Sequence, residues 1–429
     1  MAKSARKKSA DARGVAALAL KKLRSGSTCQ EALACELAKT ALSPQEKNLA
    51  GELFYGVCRG NSRFEYILKK FLPKPGALPL PLRDILKIAL YSLLCQDKIP
   101  QYAAIDCAVK SARENYSGLA GLANAFLRNA QRNLADLQRP EWYGKEPFKA
   151  LAIYCGVPSF VANLWKDAFG EETAILLLQR SARRPWSGLL PSPRLCQPFL
   201  ERLRQECSQT LDGGFCFAPG QLPENAHALA EKGDVRFMAP ASWHILARLG
   251  IDKWKDPIWD ACAGFGGKTL ALLFAGANVA LASDISARRL KKLPGQCAKY
   301  AMRTSATVLM NAARGAVRWE GDILLDVPCS GLGVLARRPD IAMNVTPEKI
   351  ADLQVIQAKL LAQAARTLQP GRRIAYITCT LNPAENENAI RAFLQTRGDF
   401  TLQAEWQTPH DHPWLEGMYG AVLQKKRSV

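Results

Sequence analysis

Residues 257–269 read PIWDACAGFGGKT, an apolar run that ends in an acidic residue and leads into a glycine-rich loop. Gly264, Gly266 and Gly267 let the backbone turn tightly and approach a ligand closely. A helix-like stretch, residues 268–274, follows the loop. Strand, glycine loop and helix in this order are typical of an open α/β sheet that binds a ligand at the carboxyl end of the strand.

The spacing within the loop excludes two of its common uses. A P-loop needs a glycine at the position of Cys262, and a dinucleotide fingerprint starting at Gly264 needs one at Thr269. The remaining common ligand is S-adenosylmethionine (SAM), whose amino-acid end sits against such a loop, and we predict SAM as the cofactor. Asp284 ends the next apolar run, where an acidic residue typically bonds ribose hydroxyls.

Four more short apolar runs follow the first, at residues 279–281, 306–309, 323–325 and 374–377. Helix-like stretches such as residues 347–367 lie between several of them, which predicts a parallel, doubly wound sheet. The carboxyl ends of parallel strands share one edge of a sheet, so the polar residues that end these runs are expected to converge there. Those residues are Asp260, Asp284, Asn311, Asp326 with Cys329, and Thr378 with Cys379.

Two cysteines close predicted central strands, in Asp326-x-Pro-Cys329 and Thr378-Cys379. Next to a cofactor loop they favour covalent catalysis on a cytosine. A thiolate that adds to C6 makes C5 nucleophilic enough to attack a sulfonium methyl group, and a second cysteine can assist release. Asp326 is placed to bond the exocyclic amine and N3, which selects cytosine over uracil. The residues alone leave open which cysteine is the nucleophile.

The first 140 residues are predicted to be helical. Ser43-Pro-Gln-Glu46 is a capping box with proline at the first helical position, and an i, i+3, i+4 apolar stripe covers residues 82–94. Residues 1–140 carry 23 basic and 11 acidic side chains, an excess of 12 within the +20 of the whole chain. A basic, all-α module of this kind favours an RNA partner.

The chain is therefore predicted to have three domains and no metal site. We predict an all-α bundle over residues 1–140, a small α/β connector over 141–235 in which residues 165–180 look helical, and an α/β catalytic domain over 236–429. Thirteen cysteines and four histidines show no zinc-ligand spacing. No apolar run is long enough for a membrane span and the start is no secretory signal, so we expect a cytoplasmic protein, without membrane or DNA partners and monomeric.

Three motifs resemble those of RNA cytosine-5 methyltransferases of the Sun (Fmu) type: DACAGFGGKT at 260–269, DVPCSGLGV at 326–334 and YITCTLNPAENE at 376–387. IPQYAAIDCAV at 99–109 and GLANAFLR at 121–128 resemble the NusB-like RNA-binding domain of the RsmB-like branch. The resemblance implies a NusB-like helical domain, a connector and a Rossmann-like SAM-dependent methyltransferase domain, with small-subunit ribosomal RNA as the substrate.

The resemblance also implies roles for individual residues. Cys379 takes the position of the family's nucleophile, and Cys329 that of the cysteine that assists product release. Lys268 is also expected to face the target base. Two of four departures from the family pattern concern the cofactor: Gly264-Phe265 stands where Ala-Pro is usual, and Asn311 where aspartate is usual. The residues implied to line the SAM site are Cys262, Ala263, Gly264, Phe265, Gly266, Gly267, Lys268, Asp284, Asn311 and Asp326.

Two alternatives stay open on the sequence. One is a transfer RNA cytosine-5 methyltransferase, although related enzymes on transfer RNA often lack the N-terminal domain. The other is a non-catalytic RNA-binding ribosome-assembly factor on a degenerate methyltransferase fold, for which Phe265 and Asn311 are the motive. Glu385-Asn-Glu387 is predicted to begin the next helix, where acidic residues suit the helix dipole.

Overall fold

The structure is a computed structural model that describes residues 11–304, 306–314 and 317–427. Its contacts divide the chain into two compact units. The first comprises the described residues through Arg183 together with Arg338–Asn344, and the second comprises Arg184–Arg337 and the described residues from Val345 onward. No helix in the described part of the chain is both long and apolar enough to cross a membrane.

The first unit is helical, as its apolar periodicity predicted. Ser43 caps its third helix with a complete capping box, and Pro44 is the first helical residue. Leu53, Phe54 and Ile67 are among the fully buried side chains of its core. Its helices are α1 (Ala12–Leu23), α2 (Cys29–Leu37), α3 (Pro44–Arg59), α4 (Asn61–Phe71), α5 (Leu80–Cys95), α6 (Gln101–Asn115), α7 (Ala120–Arg132), α8 (Leu134–Leu137), α9 (Pro147–Tyr154), α10 (Ser159–Phe169) and α11 (Glu171–Ala182).

The helical unit is longer than the bundle predicted over residues 1–140. Residues 147–182 form α9 to α11, and their contacts group them with the helices that precede them. The stretch 165–180 is not one helix, because Gly170 (φ +83°) ends α10 in a conformation that glycine adopts without strain. The α/β part of the predicted connector therefore begins only near Ser187.

A small antiparallel sheet opens the second unit. Its strands are β1 (Ser187–Pro191), β2 (Gln209–Leu211), β3 (Gly214–Phe217) and β4 (Val235–Met238), in the order β2-β3-β1-β4. Helices α12 (Gln197–Glu206) and α13 (Ala226–Lys232) connect them, and Leu189, Phe215 and Phe217 form part of a core of their own. The predicted boundary at 235/236 falls inside β4, whose pairing with β1 runs through Met238. The three-domain division as a whole stays a prediction.

The remainder of the second unit is built on a seven-stranded sheet. Its strands are β5 (Ile258–Asp260), β6 (Val279–Asp284), β7 (Ala306–Leu309), β8 (Asp322–Asp326), β9 (Arg373–Thr378), β10 (Phe400–Gln407) and β11 (Tyr419–Lys425). The order is β10-β11-β9-β8-β5-β6-β7. Its helices are α14 (Pro240–Arg248), α15 (Gly267–Phe274), α16 (Ala287–Leu290), α17 (Leu293–Lys299), α19 (Pro347–Thr367) and α20 (Glu387–Thr396), and α18 (Pro339–Asn344) groups with the first unit.

The five predicted strands are all present and parallel, but the prediction of a wholly parallel sheet is wrong. β11 pairs antiparallel with both β9 and β10, so the sheet is mixed. The first five residues of β11 are buried, whereas β10 at the edge is mostly exposed or half-buried, so neither strand shows the alternation of a half-buried strand. The predicted α/β class of the domain is confirmed.

Candidate active site

The five predicted strand ends lie along one edge of the seven-stranded sheet. Asp260 at the end of β5 is in register with Leu324 of β8 on one side and Ala282 of β6 on the other. Asp326 at the end of β8 is in register with Ile377, one residue before the end of β9. The parallel register therefore places the glycine loop, Asp284, Asp326 and the loop of Cys379 at one edge, as the strand pattern predicted.

The glycine loop owes its shape to left-handed backbone at two positions. Gly264 has φ +57° and Gly266 has φ +81°, and Gly266 is the residue from which α15 begins. A Cβ atom on Gly266 would lie 2.2 Å from Cδ1 of Leu293, whereas one on Gly264 or Gly267 would meet nothing within 4 Å. The loop is thus packed on one side and open at Gly264 and Gly267, which leaves its backbone accessible to a ligand.

Asp260 is the strongest sign that this loop holds a cationic ligand. Its carboxylate is 1% exposed, and Oδ2 accepts a hydrogen bond of 2.6 Å from Oγ1 of Thr269. Oδ1 has no hydrogen-bond partner among the described residues. Burial raises the pKa of Asp260 to about 7. An unpartnered carboxylate oxygen beside an open glycine loop fits the ammonium end of SAM. Asp260 was absent from the predicted site residues, although its place at a strand end was visible in the sequence.

Asp284 and Asn311 both support the local backbone. Asp284 is buried, and its carboxylate accepts from the backbone N–H of Gly264 (2.9 Å) and of Ser286 (2.7 Å) and pairs with Arg289 at 3.0 Å. Oδ1 of Asn311 accepts from the backbone N–H of Ala313 at 3.0 Å. Both side chains thus bond to the protein near the strand ends. Asp284 also connects the end of β6 to the glycine loop.

Phe265 projects from the loop between the two left-handed glycines. It is 42% exposed, and Nζ of Lys292 lies 5.1 Å from the centroid of its ring. Neighbouring Cys262 is largely buried, and burial and nearby aspartates raise the pKa of its thiol above the ordinary value. Cys262 therefore carries a neutral thiol rather than a reactive thiolate.

The two predicted catalytic cysteines lie next to each other. Sγ of Cys329 is 3.2 Å from Sγ of Cys379, and the backbone N–H of Cys379 donates to Sγ of Cys329 at 3.2 Å. The Cys379 thiol is the main cause that raises the pKa of Cys329 well above its ordinary value, followed by burial and by the charge of Glu385. The fold thus brings together two thiols that are 50 residues apart in the chain.

Lys268 and Asp326 form an ion pair beside these thiols. Nζ of Lys268 lies 2.8 Å from Oδ1 of Asp326, and the lysine side chain is 9% exposed. Burial by itself would lower the pKa of Lys268, but the carboxylate of Asp326 and the charge of Cys379 raise it above its ordinary value. The glycine loop therefore contributes a fixed positive charge to the side of the site that carries the cysteines.

Glu385 is a site residue that the sequence prediction missed. It lies in a 3₁₀ turn, Pro383–Glu385, and it is fully buried, whereas the helix that follows begins at Glu387. Its carboxylate accepts hydrogen bonds from Ser330, Asn382 and Gln357. The helix-dipole interpretation of Glu385 is thus wrong. Its position within the third motif was the available signal, but its partners lie up to 55 residues away in the chain.

The chain matches two family models. The model of 16S rRNA methyltransferase RsmB/F matches residues 251–417, and the model of the NusB family matches residues 10–132. The probable ribosomal RNA small subunit methyltransferase B of Synechocystis sp. is 31% identical over 411 residues, which cover 87% of this chain and 86% of the relative. The corresponding protein of Bacillus subtilis is 28% identical over 416 residues, which cover 92% and 90%.

Two solved structures share the fold. The crystal structure of PH0851 aligns with a TM-score of 0.73 at 19% identity and covers 98% of this chain and 100% of its own. The crystal structure of NSun6 from Pyrococcus horikoshii with SFG aligns with a TM-score of 0.54 at 18% identity and covers 63% and 99%. Together with the family models and the relatives above, these findings identify the chain as an RNA methyltransferase that uses SAM, and it belongs to the RsmB-like family of ribosomal RNA cytosine-5 methyltransferases with an N-terminal NusB-like domain.

Proposed function

We propose that this enzyme methylates C5 of a cytosine in small-subunit ribosomal RNA through a transient bond between Sγ of Cys379 and C6 of the base. In this proposal Cys329 assists product release and Asp326 recognises the cytosine. The observation that carries the proposal is the 3.2 Å spacing of the two thiols at adjacent strand ends, with the Lys268–Asp326 pair beside them. The rest of the proposed mechanism is derived from these four side chains.

The proposed cofactor site is the loop and the strand ends next to it. SAM supplies a methyl group made electrophilic by its sulfonium charge. The open backbone at Gly264 and the unpartnered Oδ1 of Asp260 fit its ammonium end, and Asp284 and Asn311 lie at the ends of the neighbouring strands. The residues proposed to hold it are Cys262, Ala263, Gly264, Phe265, Gly266, Gly267, Lys268, Asp284, Asn311 and Asp326.

Addition of the thiolate is the first proposed step. The ammonium of Lys268 favours the thiolate form of Cys379, since opposite charges stabilise each other. The thiolate adds to C6, and the electron pair of the C5–C6 bond moves into the ring. As the electron density reaches N3, that nitrogen takes up a proton from solvent, and the Asp326 carboxylate accepts hydrogen bonds from this N–H and from the exocyclic amine. The product is a C4–C5 enamine whose C5 is nucleophilic.

Release is the second proposed step. Before release, the C5 electron pair would take the methyl group as its bond to the sulfur of SAM breaks. The C5 proton must then leave and the Cys379 thiolate must be eliminated, which restores the C5–C6 double bond. The Cys379 thiol is the largest cause that raises the pKa of Cys329. Once Cys379 is bonded to the cytosine, its thiol no longer raises the pKa of Cys329, and Cys329 loses its proton more easily. This change in the pKa of Cys329 suits it to act as the proposed general base at the release step.

Two observations support small-subunit ribosomal RNA as the proposed substrate. The relatives above are named for it, and they align with this chain over most of their length. The excess of 12 positive charges within residues 1–140 suits a polyanionic RNA, because basic side chains release counterions from phosphates when they bind.

The test is methyl transfer from radiolabelled SAM to unmodified small-subunit ribosomal RNA, with transfer RNA as the matched control. The label is located by nucleoside analysis. The proposal expects label in 5-methylcytosine of the ribosomal RNA and little in the transfer RNA. Label mainly in transfer RNA contradicts the proposed substrate, and label in another nucleoside contradicts the proposed chemistry.

A further inference from the structure

The side chains of the two residues that directly follow the proposed catalytic cysteines are hydrogen-bonded to each other. Ser330 follows Cys329 and Thr380 follows Cys379, and their hydroxyl oxygens lie 2.8 Å apart. The Ser330 hydroxyl donates to Oε2 of Glu385 at 2.5 Å, so the Thr380 hydroxyl is the donor to Ser330. A chain of two hydrogen bonds thus connects the loop of Cys379, through the loop of Cys329, to the carboxylate of Glu385.

The Glu385 carboxylate is surrounded by donors. Oε1 accepts from the backbone N–H of Ser330 at 2.8 Å and from Nε2 of Gln357 at 3.0 Å, and Oε2 also accepts from Nδ2 of Asn382 at 2.9 Å. The two hydrogen bonds from Ser330 and the two from the side-chain amides of Gln357 and Asn382 therefore all end on the carboxylate oxygens of Glu385. An ionised carboxylate has acceptor sites for about four donors and no proton to place, which matches this environment. An amide in its place would turn an NH₂ group towards at least one donor.

Gln357 extends the network to the other side of Cys329. From α19 its Nε2 donates to the backbone carbonyl of Pro328 at 2.9 Å as well as to Glu385. Its Oε1 has no partner among the described residues. A flipped amide would point that oxygen at two acceptors, so the orientation is fixed. Pro328 and Ser330, the two neighbours of Cys329, are therefore both held by the same network.

We propose that Glu385 is a positioning residue that acts through Ser330 and Thr380 to hold the thiols of Cys329 and Cys379 at the spacing the methylation cycle needs. The proposal rests on the proposed function for its purpose, because the spacing matters only if both thiols react. The geometric part of the proposal is independent of the proposed function. The carboxylate of Glu385 contacts neither thiol, and it positions the loops that carry both. Glu385 also adds a negative charge that contributes to the raised pKa of Cys329.

The test measures the thiol spacing without methyl transfer. The free enzyme is equilibrated with reduced and oxidised glutathione, and the Cys329–Cys379 disulfide is quantified by mass spectrometry. In this exchange the two protein thiols are oxidised to one disulfide, while one oxidised glutathione is reduced to two thiols. The equilibrium gives the effective concentration of one thiol at the other, which depends on how well the loops hold them together.

Glu385→Gln is expected to lower this effective concentration about tenfold. Glu387→Gln, the same change two residues further on, is the matched control and is expected to leave it unchanged. In turnover, Glu385→Gln is expected to reduce kcat about tenfold with the KM for SAM unchanged, since the glycine loop is not part of the network. An unchanged effective concentration in a folded Glu385→Gln variant overturns the proposal.

Two further measurements separate positioning from a general loss of structure. The charge effect predicts that the pH midpoint for alkylation of Cys329 by iodoacetamide falls in Glu385→Gln and stays near its original value in Glu385→Asp, which keeps the charge. Ser330→Ala removes only a hydroxyl group. If Glu385→Gln does not fold, the disulfide equilibrium is measured in this variant instead. Since Glu385 acts through Ser330, the effective concentration of the thiols in the double variant Glu385→Gln/Ser330→Ala should be no lower than in Glu385→Gln alone. Independent, additive losses contradict the proposal.

An inactive Cys379→Ala enzyme and a changed thiol spacing are separate results. If Cys379 proves not to be the nucleophile, the disulfide equilibrium still reports whether Glu385 sets the spacing. If the spacing is independent of Glu385, the nucleophile assignment is untouched. The two proposals therefore fail separately.

Discussion

The glycine loop and the thiol pair lie on the same edge of one sheet, but they are held there in different ways. The loop depends on two left-handed glycines, its backbone is open at Gly264 and Gly267, and a buried oxygen of Asp260 has no partner among the described residues. The thiols depend on buried side chains from three segments, and the hydrogen bonds of Glu385 are all made within the protein. The first region is built to receive a ligand, whereas the second is already arranged without one.

This difference predicts two classes of variant. Changes on the thiol side should alter turnover and leave cofactor binding intact. Changes on the loop side should alter cofactor binding first, because that region is incomplete without its ligand.

Cys379→Ala is expected to have the largest effect. Loss of the proposed nucleophile should reduce methyl transfer at least about 1,000-fold, since a residue that forms the covalent intermediate has no substitute in the site. The Kd for SAM, measured by isothermal titration calorimetry, should stay within about twofold. Cys95→Ala removes an exposed cysteine of the helical unit and is the control. Turnover near the unaltered level would contradict the mechanism.

Cys329→Ala should stall the enzyme on its substrate. Without the assisting thiol the adduct forms but its resolution slows, and we expect turnover to fall about 100-fold by the usual size of general-base effects. The measurement is a denaturing gel that detects a protein–RNA species resistant to boiling in detergent. Cys297→Ala, which removes a buried cysteine of α17, is the control. Absence of the species from Cys329→Ala would mean that the roles of the two cysteines are assigned wrongly.

Asp260→Asn tests the open region and should have an intermediate effect. Losing the charge opposite the ammonium end of SAM should raise the Kd for SAM about tenfold, the usual cost of a hydrogen bond to a charged group. In the unaltered enzyme SAM should bind more tightly as pH rises through about 7, where Asp260 ionises. The variant should lack this pH dependence, and exposed Asp352→Asn should retain it.

The same carboxyl predicts a stability change without ligand. Its pKa of about 7 in the folded protein is above the ordinary value of about 4 that it regains on unfolding. Between these values the unfolded chain binds fewer protons than the folded one, so the free energy of unfolding falls as pH rises from about 4 to 7. Urea unfolding of the enzyme and of Asp260→Asn across this range measures the difference. Parallel curves would show that Asp260 does not titrate in this way.

Gly266→Ala should have the smallest effect. Its φ of +81° costs an alanine about 1–2 kcal/mol, while Cδ1 of Leu293 is the flexible end of a side chain that can yield. We expect a lower free energy of unfolding by about that amount and a several-fold higher Kd for SAM. Gly295→Ala in α17 has open space around it and is the control. If Gly266→Ala affected kcat rather than Kd, the contrast between the two regions would not hold.

The same contrast explains which parts of the site were predictable. The glycine loop and the strand ends follow from local sequence, because apolar runs that end in Asp260, Asp284 or Asp326 report both a strand and its carboxyl end. The nearness of the two cysteines followed from sheet topology, since β8 and β9 are neighbours. Which of them reacts came only from the resemblance to a family.

The missed features all depend on partners distant in the chain. Glu385 precedes a helix by only two residues, so a local interpretation favoured the helix dipole, but its partners are Ser330 and Gln357. Likewise β11 lies between β9 and β10 and pairs with both, and no local alternation in the sequence marks it as a strand. Residues 141–183 were assigned to the connector because a sequence does not show which helices pack together.

The position of β11 has a consequence for the order in which the enzyme is made. Thr378, the residue before Cys379, pairs with Tyr419, which the ribosome adds 41 residues later. At about 5–20 residues per second, β9, which ends just before the proposed nucleophile, waits about 2–8 s for its second neighbour. During this interval the hydrogen-bonding edge of β9 is open, as in any edge strand. The loop of Cys379, the proposed nucleophile, thus reaches its final setting only after β11 has been synthesised.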